Sequence, residues 1–134
     1  MKSVKIYYLL SLSGILIFNS CKEKNSEFLF PSIDQDVNLG AQVAEKIEND
    51  PEQFPVLDET EYSEAYAYLN KLLDYILTSG EVQYKDEFVW DIKIIENDSV
   101  LNAFATPGGY LYVYTGLIKY LDQEDDFMGV LGHE

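Results

Sequence analysis

A histidine followed directly by a glutamate, His133-Glu134, closes the apolar run Val130-Leu131-Gly132. On a helix, residues four apart share a face. An imidazole at His133 and another at the fourth following position would therefore aim ring nitrogens at one divalent ion. Glu134 lies one step round, where a carboxylate can take a proton from a metal-bound water and pass it to a leaving amine. A third protein ligand would come from farther along a chain. The dipeptide alone is common by chance, and a sole histidine is ordinarily a core or surface residue, so its context must carry the reading. Two other places offer chemistry. Asn102-Ala103-Phe104-Ala105 is a short extended stretch ahead of the turn Thr106-Pro107-Gly108-Gly109, and Cys21 is the sole cysteine, which rules out an internal disulfide.

The elements that must position these residues are legible in the pattern. Ser32 and Gln35 form a capping box, and Leu39, Val43, Ala44 and Ile47 follow at helical spacing, which predicts a helix from Asp34 to Asn49. Asp50-Pro51 stops it and Pro55 keeps the next segment non-helical. A second helix is predicted over Glu61–Leu77, with Ala65, Leu69, Leu72 and Ile76 on one face and Gly80 at its stop. The period then changes to two. Phe88, Trp90, Ile92 and Ile94 alternate with Val89, Asp91, Lys93 and Ile95, which is a strand with one apolar face. Glu96-Asn97-Asp98-Ser99 is a turn. Leu101–Ala105 and Tyr110–Tyr114 read as two strands joined across Pro107-Gly108-Gly109. A short helix over Gly116–Leu121 is expected to be capped by Thr115. Asp122 is expected to cap a last helix, with Glu124, Asp125 and Asp126 complementing its dipole and Phe127, Val130 and Leu131 on its buried face. The chain stops on that apolar helix without a polar cap or glycine, so the expectation is a truncation inside the motif.

The first residues have the grammar of an export signal. Lys2 and Lys5 precede an apolar stretch from Ile6 to Phe18, too short for a bilayer core, which takes ~20 residues. Phe18-Asn19-Ser20-Cys21 resembles the lipobox of bacterial lipoproteins, with Phe18 in place of the usual leucine. That resemblance implies a signal peptide over residues 1–20, lipidation of Cys21 and a polar tether over 21–31. Several acyl chains on one cysteine would hold the protein firmly to a membrane. Lys22 after the cysteine gives no inner-membrane retention cue of the aspartate type, so by that resemblance the outer membrane of a bacterial envelope is expected. The periplasmic side is the expected face, and the other face stays open. An ordinary signal peptide with an incidental cysteine is the plainer alternative.

Composition narrows the function. Apolar residues make up 47% and charged ones 25%, enough for a packed core. Asp and Glu number 24 against 9 basic residues, all lysines, for a net charge of −15 at pH 7. Such a surface repels phosphates, so no nucleic-acid partner is expected.

The last third is similar to a known family. Asn102-Ala103-Phe104-Ala105-Thr106-Pro107-Gly108-Gly109-Tyr110, then Val113, Gly116-Leu117, Glu124 and Val130-Leu131-Gly132-His133-Glu134 resemble the zinc metallopeptidases that include HtpX and the CAAX prenyl proteases. Asp36-Val37-Asn38-Leu39-Gly40 and Glu96-Asn97-Asp98 point to their soluble lipoprotein branch. The resemblance, over residues 32–134, implies an α+β fold: the N-terminal part of a zincin-like domain, helices packed on a small, mostly antiparallel sheet. It implies one Zn2+ per complete domain, with His133 the first ligand, Glu134 the general base and acid, and envelope polypeptides as substrates. The matching histidine and downstream glutamate ligand have no counterpart here, so the chain itself is expected to be inactive. Asn102–Ala105 is expected to pair with an extended substrate, or else to be a plain sheet strand. Tyr110, Tyr112 and Tyr114 read as packing and rim residues. The rival from another class is a non-catalytic envelope lipoprotein acting as a binding or scaffold module.

Overall fold

A computed structural model describes residues 32–134. The expected leader, Cys21 and tether lie outside the described residues. Helix α1 (Ile33–Glu48) starts on the expected capping box: the Gln35 amide donates to Ser32 Oγ at 3.3 Å, and Gln35 Oε1 accepts the Ser32 amide at 3.0 Å. It buries Gly40, Ala44 and Ile47, one helical stripe. Helix α2 (Ser63–Leu77) buries Tyr66, Leu69, Leu72 and Leu73. Ala65, expected on the inner face, is exposed, and Tyr66 goes in instead. The reason is its phenol, which donates to Leu57 O at 2.7 Å and accepts the Ile94 amide at 3.2 Å, tying α2 to the sheet.

Strands β1 (Asp91–Ile95), β2 (Ala103–Thr106) and β3 (Tyr110–Tyr114) form one sheet in the order β1-β3-β2. β2 and β3 are an antiparallel hairpin, with Phe104 opposite Tyr112, whereas β1 and β3 run parallel, with Ile92 beside Leu111. The α+β class is as expected, and the sheet is mixed. Residues 96–102 carry the chain past the end of β3, and the hairpin then returns β3 between its two neighbours. β1 begins at Asp91 and not at Phe88, because Trp90 has φ 51°, a left-handed backbone that cannot continue a strand.

Helices α3 (Thr115–Tyr120) and α4 (Glu124–His133) follow. Neither has the expected cap. Thr115 is the first residue of α3, and its hydroxyl accepts the Asn97 amide at 2.9 Å and donates to Asp98 at 2.7 Å. The N-cap of α4 is Gln123, without a side-chain cap bond. Ile92, Ile94, Leu111 and Val113 meet α2 and α4 through Leu69, Leu72, Phe127 and Leu131. On the other sheet face, Ile95 and Tyr112 pack with Ile47 of α1. Among the described residues no helix is long and apolar enough to cross a membrane.

Candidate active site

Phe127 and Leu131 anchor α4 in the core, both at most 5% exposed. His133 follows Leu131 by two residues, about 200° round the helix, so the same packing that buries Leu131 turns the imidazole outward. Both His133 and Glu134 are exposed.

The sheet brings β2 to this helix end. Its outer side pairs with no strand among the described residues. The opposite edge of the sheet is covered: Val56 bridges Ile95, and the Leu57 amide donates to Ile94 O at 2.9 Å. The Tyr114 amide donates to Asn102 O at 3.1 Å, which sets the antiparallel alternation. Asn102, Phe104 and Thr106 therefore spend their main-chain groups on β3, and those of Ala103 and Ala105 face away from it. Ala105 is exposed, whereas Ala103 is 5% exposed and belongs to the core. Phe104 lies on the other face, stacked on Tyr112 with ring centroids 4.9 Å apart.

Two clefts flank the end of α4. One, of about 630 Å³, runs from Ala105, Thr106 and Pro107 to Leu73, Ile76, Phe88 and Trp90. The other, of about 670 Å³, is bounded by Leu101, Asn102 and Ala103, by Leu117 and Leu121, and by Asp125, Asp126 and Gly129. His133 and Glu134 are the residues that both clefts share. The helix end thus stands below β2 at the junction of two grooves, between the Ala103 and Ala105 sides. Every sequence-predicted site residue within the described chain is brought to this junction except Phe104, whose ring is turned to the opposite face.

The turn ahead of β2 is tied to α3 by side-chain bonds at Asp98. Lys119 Nζ donates to Asp98 Oδ2 at 2.6 Å, and with the Thr115 hydroxyl it holds the Asp98 carboxyl below the usual carboxylate range. The Gly116 amide donates to Asn97 O at 3.1 Å, and a Cβ on Gly116 would fall 2.5 Å from Val100 O. In β2 itself, Thr106 Oγ1 is buried without a hydrogen-bond partner.

The cleft walls from Leu73, Ile76, Phe88 and Trp90 were not read as site residues from the sequence. Their apolar periodicity reads as core, and nothing local marks an apolar residue that lines a groove. Among the described residues no three His, Cys, Asp or Glu side chains gather closely enough to hold a metal ion. The donor set at the junction is one imidazole and one carboxylate.

The α+β scaffold thus presents a His-Glu pair near a strand edge that is unpaired among the described residues. The profile of Peptidase family M48 matches residues 65–134, and the chain belongs to that metallopeptidase family. It is also similar to the mitochondrial metalloendopeptidase OMA1 of Arabidopsis thaliana, 33% identical over 45 residues. The aligned stretch is 34% of this chain and 9% of that relative, so the chain matches a small part of its length.

Proposed function

We propose that this chain is the N-terminal part of a zinc-dependent endopeptidase of the HtpX and CAAX prenyl protease type, in its soluble lipoprotein branch. One observation carries the reading: His133 and Glu134 end α4 where two grooves meet below the unpaired side of β2. Membership of family M48 supports metal dependence. His133 would be one zinc ligand, and zinc, when bound, would acidify a water and polarise the scissile carbonyl. One imidazole does not hold zinc by itself, so the residues present fit part of a site, and the remaining ligands would be supplied by sequence beyond Glu134.

Each of the chain's own residues has a task in this reading. Glu134, exposed beside His133, takes a proton from the attacking water and delivers it to the departing amine. Ala105 offers its outward N–H and C=O to an extended peptide, which holds the substrate by main-chain bonds and leaves many side chains acceptable. Ala103 and Ala105 carry small side chains on the face toward α4, which keeps the space above His133 and Glu134 open.

Cys21 is proposed as a lipid anchor to a bacterial outer membrane on its periplasmic side, with misfolded or assembling envelope proteins as substrates. The test is to read the gene past Glu134 and express the extended protein. A histidine at the fourth position after His133, one zinc per chain and cleavage of casein are the expected results. A different residue there, in an intact gene, would sink the hydrolase reading.

A further inference from the structure

We propose that Gly40 is a positioning residue: its missing side chain seats the Thr106–Gly109 turn and so sets where the free end of β2 stands beside His133 and Glu134. Gly40 lies in mid-helix, without a positive φ, where alanine is the better helix former. Conformation therefore does not ask for glycine; contact does. A Cβ at Gly40 would fall 1.8 Å from Pro107 O and 2.8 Å from Pro107 C, both backbone atoms that cannot swing aside.

The turn is gripped from both sides. A Cβ on Gly108 would lie 3.1 Å from Val37 Cα, and one on Gly109 would lie 2.9 Å from Trp90 N. Gly108 and Gly109 both have positive φ, 82° and 90°. Their carbonyls accept the Val89 amide at 2.9 Å and the Asp91 amide at 3.0 Å. The turn is thus wedged between α1 and the residues leading into β1. Among the described residues β2 has no outer neighbour, so β3 and this wedge hold Ala105 and Thr106, which line a cleft with His133 and Glu134. A helix remote in sequence from the motif thereby sets the height of the strand edge above the helix end.

The consequence for substrate rests on the peptidase reading; the wedge itself does not. Two arms keep them apart. In the chain as it stands, hydrogen exchange is measured for Gly40→Ala, for Pro107→Ala, which loosens the turn without adding an atom, and for Ala41→Gly, an exposed α1 control. In the first two variants the Val89 and Asp91 amides should exchange about tenfold faster, with α2 unchanged, and the control should leave them as they were. In the extended protein, Gly40→Ala should raise KM for an extended peptide about threefold or more while kcat, its pH profile and zinc content stay within about twofold.

Unchanged Val89 and Asp91 amides overturn the proposal, and so does an acceleration spread equally over α2, which would make Gly40 merely structural. A KM equal to that of the unsubstituted protein overturns the positioning role. If the extended protein cleaves nothing, the peptidase reading falls, and the exchange result alone decides whether Gly40 seats the turn.

Discussion

At the residue scale, Glu134 and His133 separate two effects that a loss of activity alone would merge. In the extended protein, Glu134→Gln should lower peptide cleavage by about 10²–10⁴-fold, the range for a positioned acid–base group, and leave zinc content intact. His133→Ala should instead strip the metal, read by zinc analysis after dialysis. The chain of residues 1–134 alone, with one imidazole, should retain no stoichiometric zinc under the same dialysis. Thr106 makes a prediction that needs no activity. Its hydroxyl is buried without a partner, and an orphaned polar group of this kind costs about 1–3 kcal/mol. Thr106→Val keeps the shape and removes the orphan, so the urea midpoint should hold or rise; a clear fall would show that the hydroxyl is satisfied in solution.

At the element scale, the free side of β2 and the buried ring of β3 behave differently. Proline is tolerated on an edge strand where its missing N–H would face outward. Ala105→Pro should therefore leave stability nearly unchanged and weaken substrate binding in the extended protein. Phe104→Pro removes an amide committed to β3 and should destabilise the chain itself. Equal unfolding midpoints for the two would refute the alternation assigned to β2. Tyr112, 1% exposed, has its phenol pushed up to about 12 by burial. In Lys93, burial lowers the ammonium, but the bonds to Glu59 and Asp91 outweigh it and raise the group to about 12. Both groups are raised above their ordinary values, so their stabilisation is complete below about pH 10 and is lost as pH climbs toward 12. The unfolded chain releases these protons first, and alkali pulls the equilibrium toward it. Urea midpoints at pH 9 and 11 should differ, and Tyr112→Phe should shrink the difference.

At the scale of the whole molecule, the proposed lipid on Cys21 makes a prediction of its own. Cys21→Ser in the expressing bacterium should shift the protein from the membrane fraction to the soluble one; unchanged fractionation would remove the anchor from the reading. Much of the scaffold was legible in the residues themselves. Ser32 and Gln35 marked the start of α1, and the switch from helical spacing to alternation after Gly80 marked the change from helix to sheet. The helix that ends at His133 was legible from its apolar period, which is local, although the expected Asp122 cap does not form. What escaped was set by contacts across the chain. Trp90 reads as one more apolar residue of an alternating strand, yet its backbone is left-handed where it packs close to Gly109, and the strand starts at Asp91 instead of Phe88. Thr115 reads as a cap, but Asp98 and Asn97 claim its hydroxyl. The parallel pairing of β1 with β3, the unpaired side of β2 and the seat that Gly40 makes for Pro107 follow from the path of the chain in space. No spacing encodes them, because each depends on which distant backbone arrives alongside.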